Sequence, residues 1–217
     1  MPLLFYGVTE SDAATVDLPP GVAEATVESI QVSGLTCFYS EHSALAASNT
    51  REAALKFHQV VNSLFQARDI ISFRFPTLLA DRTEMVAEIE KHAAEYHKGL
   101  DKLRGRVQID IRIHRPGAEE QQGPGHAANS GSEYLRARHE RHMQLKTAAQ
   151  ALRAAGGELI ERWREREYSD HLRCFALIAR ASFAGVQASL AAAAIDSELL
   201  ARVSGPWPPT EFLEQEE

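Results

Sequence analysis

Val107-Gln108-Ile109-Asp110-Ile111-Arg112-Ile113-His114 alternates apolar and polar side chains without a break. Successive side chains of a strand point to opposite faces, so this period predicts a sheet with one dry face and one wet one. Upstream, Met85, Val86, Ile89, Ala93, Tyr96, Leu100 and Leu103 recur at helical spacing behind the start signal Asp81 and Glu84, and Gly105 stops the helix. Ile71, Phe73 and Phe75 alternate with Ile70, Ser72 and Arg74 until Pro76, which predicts another strand over 70–75. Asn49 with Glu52 starts a helix whose Ala53, Phe57, Val60, Val61, Leu64 and Phe65 share one face. Val27–Val32 and Leu35–Ser40 flank Ser33-Gly34 as a hairpin, Pro19-Pro20-Gly21 marks a loop, and Leu3–Val8 reads as a buried strand.

Downstream, residues 115–131 are rich in Gly, Pro, Gln and Glu and read as a mobile loop. The chain then turns helical from Ser132 to about Tyr168. Leu145, Leu152 and Leu159 recur every seven residues, with Ala149, Gly156 and Trp163 in the companion positions, which predicts a short seam of coiled-coil type. Gly156-Gly157 weakens the helix in its middle. Leu172–Ala179 reads as a central strand, Ala181–Ala194 as a small-residue helix and Leu199–Ser204 as a last strand. The expected fold class is α+β. Two successive α+β domains, 1–104 and 105–217, are expected, the second ferredoxin-like with a long coiled-coil-like helix over 132–168. Its β-α-β-α-β order lacks one strand of the ferredoxin-like unit.

Composition excludes several function classes. The 217 residues are 44% hydrophobic and 24% charged, with a formal net charge of −7, as in an ordinary globular protein. No Lys or Arg precedes Arg51, so the first part of the chain is purely acidic. Such a chain has no general attraction to nucleic acid or to anionic lipid. It shows no secretory signal and no apolar run of membrane-spanning length, and Cys37 and Cys174 belong to no Cys-x-x-Cys pattern. A cytoplasmic protein with reduced, buried thiols is expected.

The search for chemistry finds no phosphate-binding, dinucleotide-binding or nucleophile-elbow motif. His139-Glu140-Arg141-His142 is one residue short of the zinc-protease spacing and lies among Arg136, Arg138 and Arg141, whose charge opposes a cation. No metal, no cofactor and no catalytic residue are expected. His58, beside Phe57, is expected to hydrogen-bond a loop at the core edge. Arg74, between Phe73 and Phe75, holds a partner's carboxylate or pairs with an acid of its own domain. Gly205-Pro206-Trp207-Pro208-Pro209 is stiff, since three prolines fix φ. Trp207 therefore either clamps the last strand onto the core or anchors another protein.

Taken together, these segments resemble the gas vesicle proteins of the GvpL/GvpF type. Val203-Ser204-Gly205-Pro206-Trp207-Pro208-Pro209-Thr210-Glu211-Phe212 is similar to that family's closing G-P-W-P-P-Y-S-F, with Thr210 and Glu211 in place of Tyr-Ser. Phe73-Arg74-Phe75-Pro76-Thr77 resembles its R-F-G-T segment, with Pro76 in place of glycine. Leu103-Arg104-Gly105, Gly131-Ser132-Glu133-Tyr134-Leu135 and Tyr6-Gly7 fit in the same order. The resemblance implies a two-domain α+β protein, not an enzyme, acting in the cytoplasm and on the gas vesicle. Its role would be that of an accessory or minor structural component. Gas vesicles are hollow protein shells built from a small hydrophobic subunit. The implied partners are that shell protein and other gas vesicle accessory proteins, with no nucleic acid and no membrane. Candidate contact residues are Arg74, Leu145, Leu152, Leu159, Trp163 and Trp207. For the long helix, the alternative is a seam that packs only on its own domain. For the whole chain, the alternative is a small-molecule-binding or enzymatic ferredoxin-like protein unrelated to vesicles.

Overall fold

The computed structural model describes residues 1–11, 16–42, 50–116 and 131–213. The expected mobile loop at 115–131 and the helix-start residue Asn49 lie largely or wholly outside them. Contacts divide the chain into two units, Met1–Gly105 with Trp207–Glu217, and Arg106–Pro206. The expected domains, 1–104 and 105–217, differ in the placement of the last segment, whose Leu213 packs against the first unit's core.

The first unit contains β1 (Leu3–Glu10), β2 (Val27–Val32), β3 (Leu35–Glu41), α1 (Arg51–Ala67), β4 (Ile71–Ser72), β5 (Leu78–Leu79) and α2 (Arg82–Leu103). The strands run in the order β2-β3-β1-β4, with β5 also on β1. Ser33 and Gly34 both take positive φ, the turn a tight hairpin needs, and join β2 to β3. The register steps from Phe5↔Tyr39 to Gly7↔Phe38, so Tyr6 is a bulge. The bulge lets Val8 join Leu3 and Phe5 in the core formed with Met85, Ile89 and Leu100 of α2. Tyr6 stacks instead on Phe57 of α1, 5.0 Å between centroids. Its hydroxyl lies 2.9 Å from Ser40 Oγ, which in turn lies 2.9 Å from the ring of buried His42. A Cβ at position 7 would come within 2.7 Å of the Ile71 carbonyl, so only glycine lets β1 and β4 approach. The side chains of Thr50 and Asp81 cap α1 and α2.

The strand expected over 70–75 is shorter than its alternation suggests, with only Ile71 and Ser72 pairing. Phe73 stacks on Phe5 at 4.3 Å, whereas Phe75 meets Phe57 at 5.3 Å. The two rings thus serve different parts of the core. Pairing with β1 resumes past Pro76, at Leu78 and Leu79 of β5.

The second unit contains β6 (Arg106–His114), α3 (Gly131–Gly156), β7 (Arg162–Glu167), β8 (His171–Ala179), α4 (Phe183–Ala192) and β9 (Leu200–Trp207), whose strands run in the order β7-β8-β6-β9. Val107, Ile109, Ile111 and Ile113 oppose Ile178, Ala176, Cys174 and Leu172, and all eight are buried. The helix expected over 132–168 is corrected here. It ends at Gly156, and residues 162–167 form β7, an antiparallel partner of β8. Gly157 takes φ +55, the left-handed conformation that terminates a helix, and nothing fills the space its side chain would occupy. The alternation Arg162, Arg164, Arg166 against Trp163, Glu165, Glu167 is the strand signal that the heptad reading masked. Both cysteines are buried, and burial pushes each thiol up to about 12.

Candidate functional site

The end of α3 at Gly156 breaks up the expected seam. Leu145 is half-buried on α3, and Leu152 is 1% exposed in the core beside Ala148 and Ala149. Leu159 sits beyond the helix in a 3-10 turn and is 48% exposed. Trp163 lies on β7, its indole N–H donating to Glu165 at 2.8 Å. No coiled-coil stripe joins these four positions. Leu152 is a core residue of its own unit, in accord with the packing alternative.

The middle of α3 is fastened to β7 by charge. Lys146 donates to Glu165 at 2.8 Å and lies 2.6 Å from Glu167. Hydrogen bonds to these two carboxylates push its ammonium up to about 12, outweighing the opposing effect of partial burial. Burial alone would raise the Glu165 carboxyl; the bonds from Lys146 and Trp163 bring it below its usual range. His142 lies 3.7 Å from Glu167 on the same edge.

Towards its amino end, none of the described side chains of α3 is buried. Every described side chain from Leu135 to Arg141 is exposed, and Met143 is exposed as well. Leu135 and Met143 are eight positions apart, about 80° around a helix, so they lie on one broad side of it. The heptad reading passed over them because neither falls in the 145/152/159 series. The signal was available in their composition: two large apolar residues isolated among Arg136, Arg138, His139, Glu140 and Arg141.

The other expected contact residues lie elsewhere. Arg74 is exposed between β4 and β5, its carbonyl accepting from Thr77 Oγ1 at 2.7 Å, and no acid pairs with it among the described residues. Trp207 ends β9 and is 38% exposed. His58 is exposed on α1 rather than bonded at the core edge, its ring standing edge-on to Phe57 at 6.0 Å. An open cavity of about 610 Å³ lies in the first unit, lined among others by Leu18, Pro19, Ser29, Thr36 and Phe38. Among the described residues, no group of three or more His, Cys, Asp or Glu side chains is placed to hold a metal, and no helix is long and apolar enough to cross a membrane.

Residues 2–214 match the family described as gas vesicle synthesis protein GvpL/GvpF. The fold is similar to the crystal structure of the gas vesicle protein GvpF from Anabaena sp. PCC7120, with a TM-score of 0.79, 18% identity and coverage of 100% of this chain and 97% of that one. It is also similar to GvpF from Microcystis aeruginosa, with a TM-score of 0.76, 14% identity and coverage of 99% of each chain. No curated protein sequence matches.

Proposed function

The chain belongs to the gas vesicle synthesis protein GvpL/GvpF family, and from that premise we propose that it is an accessory or minor structural protein of gas vesicles. It binds the small hydrophobic shell subunit in the cytoplasm and assists assembly of the shell. The observation that carries this reading is the amino-terminal half of α3, a helix surface exposed well beyond what its own unit covers. A small subunit with a large apolar face aggregates before it polymerises unless something covers that face. A helix presenting Leu135 and Met143, 63% and 50% exposed, supplies such a cover. Leu159 and Trp207, both partly exposed, are additional anchors, and Arg74 is placed to take a partner's carboxylate. Contacts to other gas vesicle proteins belong to the same role. The reading keeps two successive α+β domains, the second of ferredoxin-like type. The β-α-β-β-α-β order of its elements supports this, with β7 as the strand missing from the expected order.

Co-expression with the shell subunit of the same genome tests the reading. The protein is expected to retain the subunit on purification. The variant Leu135→Glu/Met143→Glu, with unchanged thermal unfolding, is expected to lose it. Full retention by that variant overturns the helix surface, and no retention by the folded wild type overturns shell binding.

A further inference from the structure

The first sheet is covered unevenly. On one face Ile30, Val32, Leu35, Cys37 and Tyr39 pack against Met85, Ile89 and Leu100 of α2. On the other face α1 covers β1, where Tyr6 meets Phe57, but Ser29 and Gln31 of β2 remain exposed. Ser29 stands directly opposite Phe38, and Gln31 directly opposite Thr36, so these four side chains share that face. They line the open cavity of about 610 Å³, with Leu18 and Pro19 of the loop before β2 beside them. Thr36 is 8% exposed, and its Oγ1 has no hydrogen-bond partner among the described residues. A buried hydroxyl without a partner costs stability, and valine would fill the same space without that cost. The charged groups at the cavity are Asp17, Glu24, Glu28 and Arg68. Glu24 is held by Lys56 at 2.7 Å, Glu28 accepts from Tyr39 at 2.8 Å, and Arg68 has a partner of its own. Asp17 is exposed and pairs with no cation among the described residues.

We propose that this cavity binds a small organic cation: an ammonium with an apolar body and a neutral hydrogen-bonding group at its far end. The ammonium pairs with Asp17, the body lies against Leu18, Pro19 and Phe38, and the far group bonds Thr36 Oγ1 and the Gln31 amide. Charge decides for a cation. The one charged group of the cavity without a partner among the described residues is a carboxylate, so a ligand that brings an ammonium gains an ion pair and one that brings an anion does not. The buried end decides for a neutral far group, because a second charge beside a hydroxyl and an amide would lose its water without gaining a counter-charge. A threonine hydroxyl both donates and accepts, so it receives a ligand hydroxyl in either role. A cavity of this size is in the range that takes small organic ligands. The site lies in the first unit, away from the helix surface proposed for the shell subunit, and does not depend on that reading.

Tyramine has this form, with an ammonium, an aromatic body and a phenol hydroxyl. The test titrates it into the full chain and follows the backbone amide NMR shifts of β2 and β3. Two controls accompany it: phenethylamine lacks the hydroxyl, and 4-hydroxyphenylacetate carries the opposite charge. Tyramine is expected to bind roughly fivefold tighter than phenethylamine, the difference one hydrogen bond makes, and the anion is expected to cause no shift. Thr36→Val is expected to be at least as stable as the wild type in thermal unfolding and to erase the preference for tyramine. A side chain with only a structural role would not move that preference. Asp17→Asn is expected to weaken both amines roughly threefold with unchanged unfolding. Asp17 is exposed, so its variant decides the matter even where Thr36→Val fails to fold. No shift with tyramine, binding of the anion as tight as that of tyramine, a preference undiminished in folded Thr36→Val, or amine affinities unchanged in Asp17→Asn would each overturn the proposal.

Discussion

Helices α1 and α3 answer the same demand differently. α1 has 17 residues and buries Ala53, Phe57, Val60, Val61, Leu64 and Phe65 along nearly its whole length. α3 has 26 residues, yet among its described residues the buried positions, Ala148, Ala149, Leu152 and Gly156, all fall in its last third. For α1, forming the helix and building the core are one event, because the apolar stripe runs from the first turn to the last. For α3 they are separate. The described part of its exposed half carries Leu135, Arg136, Arg138, Glu140, Arg141 and Met143, good helix formers that need no core behind them. A helix extended past its own core offers surface to something other than its own domain.

The comparison can be broken most directly by truncating one apolar side chain in each helix. Phe57→Ala removes a ring stacked on Tyr6 and should destabilise the protein by about 3–5 kcal/mol in urea unfolding. Leu135→Ala should change stability by no more than about 0.5 kcal/mol. Comparable losses at the two positions would mean that the first half of α3 is packed in solution. A smaller effect sharpens the picture of α1: Thr50→Ala deletes the hydroxyl that accepts from the Ala53 N–H and should cost about 1 kcal/mol. The smallest effect appears with pH. Burial pushes the imidazole of His42 below 6.5, so the folded state prefers it neutral. Its contribution is therefore complete above 6.5 and is lost as pH falls through the lowered folded value. In urea midpoints followed downward from neutral pH, His42→Gln should show a shallower decline than the wild type. Identical slopes would remove His42 as the cause.

Much of the first unit was legible because its signals are local. The Ser33-Gly34 turn, the stripe of α1 and the Asp81 cap each depend on neighbours in sequence. The second unit hid β7 for a physical reason. Leu159 and Trp163 extended a true helical period by chance, while Arg162, Arg164 and Arg166 looked like a solvated helix face. Only the left-handed Gly157 separates the two readings, and a glycine does not announce its φ. The cavity over β2 and β3 was invisible for another reason, since Leu18, Pro19, Thr36 and Arg68 reach it from separate parts of the chain. The exposed half of α3 was hidden because a heptad count rewards residues that repeat, whereas Leu135 and Met143 stand alone.

The bulge at Tyr6 has a consequence at the level of the gene. Because the ladder passes from Phe5 to Gly7 while its partner moves by a single residue, Tyr6 occupies the place of one inserted codon in an otherwise regular strand. Deleting that codon would leave the β1–β3 pairing continuous and keep Val8 on its side of the sheet. It would remove the ring on Phe57, the hydroxyl that reaches Ser40 and accepts from the Val22 N–H, and the backbone carbonyl that accepts from the Phe73 N–H. Deleting a codon on either side of the bulge would turn part of the strand over. Length variation in β1 among descendants of this gene should therefore collect at this one position.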